Sequence, residues 1–361
     1  MPIFRNAFVT AAALDPPNKR PNQPVSIREV AELAGVGIAS VSRVLSGRPG
    51  SSPALTARVL EATRQLGYTP NVLAQGLRRR STRTVGFVGS DITNPLVSAI
   101  VRGAESVLTS AGFSVLLTDS GGVPEVDGQR IELLKQRQVD GLIILPVLED
   151  EPSTLAALRA SGVPAVVIDR SLPADIGLHY VLSDHYGGIG EAARWLLQHG
   201  HRRIGLAVGR DVRPSRERIR ALTDAYVTLG LEPQLIVDSG TLSDTHGEES
   251  MERFLDAAKP PTAVLLGGNQ LLEGALRVVR RRGLELGKQL SLVCCDDIPL
   301  SRLFDPPIAT VMRDTGLLGQ QAAQILLQQI ESPRATEPVV LPTWFERRPS
   351  CAPHARARGK R

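Results

Sequence analysis

Hydrophobic positions along this chain follow two regimes. Over residues 26–68 they recur at helical spacing in three short blocks. Ile27, Val30, Ala31, Leu33 and Ala34 make the first stripe, Val41, Val44 and Leu45 the second, and Leu55, Val59, Ala62 and Leu66 the third. Ser26 stands before the first block with Glu29 three residues on, the pattern of a capping box. Gly35 reads as its stop, Ser52-Pro53 opens the third block, and Gly67 closes it. From Thr84 onward, short apolar runs bounded by turn residues alternate with helical stripes. The runs predict strands over 85–89, 114–118, 141–146, 165–169, 180–183, 204–208, 234–238, 263–267 and 291–295. Helices are expected between them, over 96–110, 125–137, 188–199, 217–229, 247–257, 271–283 and 316–330. Near-continuous apolar strands alternating with helices imply parallel sheets covered on both faces. The strands are too many for one open sheet, so two α/β lobes are expected, with a ligand beyond the C-terminal strand ends.

Between the regimes, residues 68–77 hold a helical turn or two, followed by Arg78, Arg79, Arg80 and Arg83. Residues 1–24 lack periodicity and read as a disordered arm or an over-long start. Residues 348–361 read as a disordered basic tail. No leucine heptads follow residue 330, which leaves no basis for a tail-mediated tetramer.

The totals of 361 residues, 42% apolar and 22% charged, fit a globular protein of two or three domains. No apolar run approaches a membrane span, the N-terminus lacks a secretory h-region, and a membrane partner is not expected. Three cysteines suit a reducing cytoplasm and have no metal-site spacing, so no metal is expected. Charge is unevenly spread. Residues 1–83 carry 12 Lys/Arg against 4 Asp/Glu, residues 84–346 carry 24 against 33, and residues 347–361 carry 6 against none. A basic head on an acidic body suits a polyanion partner, although a solvated basic face would carry the same charge.

The run VSIREVAELAGVGIASVSRVLSG (25–47), Tyr68-Thr-Pro-Asn71, Ala74 and Leu77 resemble the lactose-repressor (LacI) family of bacterial transcription regulators. Further matches follow in order: 91–95 (DITNP), 167–170 (VIDR), 199–204 (HGHRRI), 215–218 (SRER), Asn269, 295–298 (CDDI) and 306–311 (PPIATV). The resemblance implies a helix-turn-helix head over 25–70 and a hinge helix with linker over 71–83. It also implies a two-lobed effector domain over 84–347, like a periplasmic sugar-binding protein. Lobe 1 is expected from 84–199 and 311–330, lobe 2 from 201–309 and 338–347. The implied function is an allosteric DNA-binding regulator, a repressor in its simplest form. It would act as a homodimer on double-stranded operator DNA, at the nucleoid in the cytoplasm, under a sugar or sugar derivative.

In such a head the second helix enters the major groove. That assigns Ile38, Ala39, Ser40, Ser42 and Arg43 to the groove face, with Arg43 able to bond a guanine edge through two donors. Outside the pattern, an exposed helical Arg paired with a carboxylate would be the simpler reading of Arg43. Ser26 corresponds to a phosphate contact of the family. Asn71, Ala74 and Leu77 match its hinge helix, where the Leu wedges between base pairs from the minor groove. Gly37 replaces the usual Ser or Thr cap, and Ile38 and Ala39 cannot donate hydrogen bonds, so they read by fit.

By the same resemblance the polar ring around an effector is Asn94, Asp169, Arg170, Arg218, Asn269 and Asp296, with Asp91, Asp184, His185 and Arg313 as weaker additions. The plainer reading is a set of caps and ion pairs at strand ends. Leu96-Val97 stands where sugar-binding members carry two aromatics, and Gln270 replaces a common Asp. The arginines leave both a neutral sugar and an anionic effector open. An oxidoreductase is the rival from another class. The first strand, VGFVG, lacks Gly-x-Gly-x-x-Gly, and no nucleophile–base set stands out, so neither catalysis nor a cofactor is expected. A periplasmic binding protein would need an export signal and no helix-turn-helix.

Overall fold

In a computed structural model, residues 25–46, 49–69 and 81–354 are described. The chain divides into two units, a head within residues 1–80 and a body within 81–361. The head holds α1 (Ile27–Ala34), α2 (Ile38–Leu45) and α3 (Pro53–Leu66). Ser26 and Glu29 form the reciprocal capping box, with Ser26 N–H donating to Glu29 at 2.7 Å. Gly35 takes a left-handed φ of 60°, which turns the chain sharply between α1 and α2. The Arg58 side chain reaches from α3 to cap α1, with Nε donating to the Ala34 carbonyl at 3.2 Å. Val30, Ala31, Ala34, Val41, Val59 and Ala62 form the head core. Leu33 is half exposed and lies outside it.

The body contains two six-stranded sheets of the same design. The first orders β11 (Val339–Leu341), β5 (His179–Ser183), β4 (Ala165–Ile168), β3 (Gly141–Ile144), β1 (Thr84–Gly89) and β2 (Ser114–Asp119), all parallel. The second orders β12 (Thr343–Glu346), β10 (Ala309–Arg313), β9 (Ser291–Cys295), β8 (Ala263–Leu266), β6 (Ile204–Val208) and β7 (Leu235–Ser239). Only β12 runs antiparallel. β3, β4, β6, β8 and β9 are buried at every residue, as strands covered on both faces must be.

One face of the first sheet packs on α4 (Pro95–Ser110) and α12 (Thr315–Glu331), the other on α5 (Pro124–Gln136) and α6 (Pro152–Ser161). Gly103 of α4 and Gly319 of α12 let those helices touch backbone to backbone; a Cβ at either would collide with the other helix. The second sheet lies between α7 (His185–Gln198) with α8 (Arg213–Thr228) and α9 (Asp244–Leu255) with α10 (Leu272–Arg281). α11 (Pro299–Leu303) is a single short turn of helix near the second sheet's end.

Three expectations are corrected. First, α7 belongs to the second lobe, because Ile189, Ala192, Ala193 and Leu196 pack with α8 against β6. The crossings therefore fall at Asp184, Asp314 and Pro342, and the final segment splits, β11 joining one sheet and β12 the other. β10, up to Arg313, also stays in the second lobe. Second, the body begins at Ser81 rather than 84. Ser81 Oγ and the N–H groups of Thr82 and Arg83 all donate to the Asp140 carboxylate, at 2.6, 2.9 and 2.8 Å. Arg83 stacks over Phe113 and belongs to this attachment. Third, residues 348–354 are packed rather than disordered. Ser350 is fully buried, donating from Oγ to the Leu292 carbonyl at 2.7 Å and accepting from Ala309 N–H at 2.8 Å. Cys351 is buried beside it, and the Ala352 carbonyl lies 2.9 Å from His201 Nε2.

Ending the chain after Arg348 should therefore leave the Ala309 N–H and the Leu292 carbonyl and N–H without these partners. The expected loss is about 3 kcal/mol, or roughly 5 °C or more in thermal unfolding. A chain ending after His354 should melt with the full-length protein, and calorimetry compares the two.

Candidate functional site

Two surfaces hold the residues that the sequence singles out. On the head, Ile38, Ala39 and Arg43 of α2 are exposed and Ser40 and Ser42 half-buried, while Val41 on the opposite side is in the core. Gly37 caps α2 without a side chain, leaving its first N–H groups open. Arg43 forms no ion pair among the described residues, so the simpler reading of it as half of a helical salt bridge does not hold. Ser26 is exposed, but its hydroxyl caps α1 by accepting from Glu29 N–H. Asn71, Ala74 and Leu77 lie outside the described residues.

The second surface is a cavity of about 360 Å³ between the two lobes. All six residues of the expected polar ring line it, Asn94, Asp169, Arg170, Arg218, Asn269 and Asp296, and so do Asp91, His185 and Arg313 of the weaker additions. They arrive there by topology. Asp91 and Asn94 follow β1, Asp169 and Arg170 follow β4, Asn269 follows β8, Asp296 follows β9 and Arg313 ends β10. Each strand delivers its last residues to the same edge, where parallel sheets leave unpaired backbone and room for a ligand.

Asp169 and Asp296 occupy equivalent places in the two sheets, and both take left-handed φ, 52° and 67°. Neither is glycine, so each backbone is held in a sparsely populated region by its surroundings. Each backbone is bonded to the neighbouring strand, Asp169 N–H donating to the Val181 carbonyl at 3.0 Å and Asp296 N–H to the Val311 carbonyl at 2.9 Å, and Arg313 joins the two side chains. Its Nε and Nη2 bond both oxygens of Asp296, at 2.6 and 3.1 Å, and its Nη1 bonds Asp169 and lies 3.1 Å from Ser183 Oγ. Asp169 further accepts the Ser183 N–H at 2.6 Å. One guanidinium thus joins carboxylates of both lobes at the place where the chain crosses between them. Burial opposes charge on Asp169, but the permanent charge of Arg313 and the Ser183 N–H hold its carboxyl well below the ordinary range. Burial likewise opposes charge on Arg313, and Asp296 and Asp169 outweigh it, raising its pKa.

His185 opens α7 and is buried, with Nε2 3.5 Å from Asp169 Oδ1 and Nδ1 3.2 Å from Arg218 Nη2. Burial, reinforced by Arg218, pushes its pKa down to about 4 against the pull of Asp169, so the ring is neutral near pH 7. Arg218 is buried, and Arg170 donates from Nη1 to the Asp169 carbonyl at 2.9 Å. The Nε groups of both are buried without a hydrogen-bond partner, and neither guanidinium has a carboxylate at ion-pair distance among the described residues.

Polar bonds also cross the cavity mouth. Asn269 Nδ2 donates to Asn94 Oδ1 at 2.9 Å, and Gln270 Nε2 to Asp91 Oδ2 at 3.0 Å. Asn94 is at the same time the cap of α4. Glu149, in the loop after β3, accepts the N–H groups of Ser171 and Arg213 at 2.8 and 2.9 Å and pairs with Arg216. The sequence gives no reason to single out Glu149 within the acidic run 149–151; its position after a parallel strand end is the one usable signal. Ser183, Arg210 and Arg213 were missed for the same reason, since each looks like an ordinary loop or helix-start residue.

Residues 26–71 match the bacterial regulatory proteins of the lacI family, and residues 193–351 match the periplasmic binding protein-like domain. The ribose operon repressor of Escherichia coli (strain K12) is 30% identical over 310 residues, spanning 85% of this chain and 94% of that repressor. The transcriptional regulator CelR of Thermobifida fusca is 33% identical over 326 residues, spanning 88% and 94%. The crystal structure of the lac repressor dimer bound to operator and the anti-inducer ONPF superposes with a TM-score of 0.81 at 28% identity, covering 91% of this chain and all of that one. These relatives are regulators rather than enzymes. The capped three-helix head, the paired parallel sheets and these matches over nearly the whole chain agree: it is a transcription regulator that belongs to the lacI family.

Proposed function

We propose that this protein is a dimeric, sequence-specific repressor whose operator affinity is set by a small sugar-like molecule in the cavity between the lobes. Two chains pair, and two heads meet the half-sites of a pseudo-palindromic operator. α2 enters the major groove. Arg43 bonds a guanine edge, Ser40 and Ser42 reach bases or phosphates, and Ile38 and Ala39 pack on thymine methyls or fill space. Ser26 meets a phosphate at the start of α1, where the helix N-terminus favours negative charge. The segment with Asn71, Ala74 and Leu77 reads the minor groove, Leu77 as the wedge.

One observation carries the allosteric half of this reading: the cavity and the inter-lobe crossings meet at the same residues. Arg313 and His185 line the cavity and flank the crossings at Asp314 and Asp184. A ligand that engages Asp169, Asp296 or Arg313 acts on the groups that fix the angle between the lobes. It changes DNA affinity only by as much as it prefers one lobe arrangement over another.

Arg43→Ala should weaken binding to the preferred operator by about 10–100-fold and relax preference at one base pair. Footprinting upstream of the protein's own gene, then a randomised-operator selection, measures both. Exchanging Ile38-Ala39 for another pair should shift the selected sequence, and an unchanged selection would remove these two residues from readout.

The charged floor also predicts a pH dependence of stability. The unfolded His185 takes up its proton near pH 6.5, the folded one only near 4. Between those values the unfolded state binds more protons, so stability falls as pH drops, by up to about 3 kcal/mol at pH 4. Asp169, held low, extends the loss further into acid. In urea titrations from pH 7 to 5, His185→Gln should flatten this dependence, and an unaltered slope would show that the ring does not titrate as described.

A further inference from the structure

Resting on the reading of the cavity as an effector site, we infer that the effector is a small hydroxyl-rich anion, a sugar acid or sugar phosphate whose oxyanion sits on Arg170 and Arg218. The first argument is charge accounting within the cavity. Asp169 and Asp296 are both engaged by Arg313, so that trio carries one net negative charge. Asp91 is engaged by Thr93 and Gln270. Glu149, just outside, is engaged by Arg216 and two backbone N–H groups. No carboxylate remains for Arg170 and Arg218, and His185 is neutral near pH 7 and supplies none. Asp91 keeps its charge, because its partners are neutral, but Arg210 also lines the cavity and bonds Thr241, so the lining holds four guanidiniums against three carboxylates.

The unpartnered donors point the same way. Arg218 is 5% exposed and its Nε has no partner; the Nε of Arg170 is likewise buried and unpaired. A buried cation without a carboxylate at ion-pair distance is costly; on Arg170, burial works against the charge, Asp169 and Glu149 support it, and Arg218 and Arg313 oppose it. A carboxylate or phosphate removes that cost through parallel charge-assisted hydrogen bonds, which a neutral hydroxyl cannot do.

The apolar lining narrows the rest of the molecule. It consists of aliphatic side chains, among them Leu96, Val97, Leu145 and Leu242, and among the described lining residues none is Phe, Tyr or Trp. There is no ring to stack on a nucleobase, an aryl group or the face of a pyranose. The amides and carboxylates at the mouth, Asn94, Asn269 and Asp91, suit hydroxyl groups. A compact polyol bearing one oxyanion uses every one of these features.

The test uses full-length protein and matched series: glucose, gluconate, glucuronate and glucose 6-phosphate, then ribose, ribonate and ribose 5-phosphate. Binding is read by calorimetry and by thermal shift. At least one anion should bind roughly tenfold or more tighter than its neutral parent. Arg218→Gln and, as a second variant, Arg170→Gln should each bring the anion's affinity down to that of its neutral parent measured in the same variant. Whether carboxylates or phosphates lead identifies the oxyanion, and either supports the inference. Neutral parents binding as tightly as their anions overturn it, and the sugar-sensing reading then stands. If no compound of either series binds at millimolar concentration, both fall.

Discussion

Arg313 is the group on which the body depends. It ends the one strand that delivers the chain back to the first lobe, and it bonds a carboxylate from each lobe. Asp169 and Asp296 are buried and the Arg313 side chain is 9% exposed, so each would be costly alone; together they leave one net negative charge and satisfy most of their hydrogen-bonding capacity. The two aspartates take left-handed backbones, which Asp tolerates better than most residues, and the shared guanidinium bridges their side chains. Removing Arg313 would leave two buried carboxylates without the cation they share.

That constraint also links ligand to motion. The inter-lobe crossings at Asp184 and Asp314 sit one residue beyond Ser183 and Arg313, and Asp169 holds both of these. The third crossing is tied in through Thr343, whose hydroxyl donates to the Asp184 carbonyl at 2.6 Å and accepts the Gly188 N–H at 2.9 Å. A molecule in the cavity thus competes for groups that define the crossing geometry. The bonds Asn94–Asn269 and Asp91–Gln270 are open to exchange, because each is a single polar contact at the mouth. The floor is different, since its carboxylates are already paired.

Much of this was legible in the sequence, and the failures have physical reasons. Strand cores such as GLII (141–144) and AVVI (165–168) announce buried parallel strands, and the ring residues are recognisable because strand ends put polar side chains after apolar runs. The lobe boundary was misplaced because sequence shows where α7 ends, at His199-Gly200, but not which sheet its apolar face meets; tertiary packing with α8 decides that. Helix α6, PSTLAALRAS, carries small and hydroxyl residues that blur its period. The tail was misread from its Arg, Pro and Ala content, while its anchoring depends on one buried serine, Ser350, whose partners lie some 40 to 60 residues earlier in the chain. Long-range pairing of that kind leaves no local trace.

The same limit explains why the arginines were ambiguous until their partners were known. In the sequence Arg170 follows a strand, Arg313 ends one and Arg218 lies near the start of a helix, and nothing local tells their roles apart. In space they divide into two roles. Arg313 is saturated by carboxylates and acts as a strut. Arg218 faces a neutral histidine, Arg170 a backbone carbonyl, and both keep unpaired Nε groups. A saturated arginine cannot discriminate among ligands, because binding one would require breaking an existing ion pair. An unsaturated buried arginine discriminates strongly, because its cost in the unliganded protein falls only when an acceptor of opposite charge arrives. On the proposed reading of the cavity, structural support and chemical selection fall to different residues of one wall. That lets the ligand change without loss of the joint between the lobes.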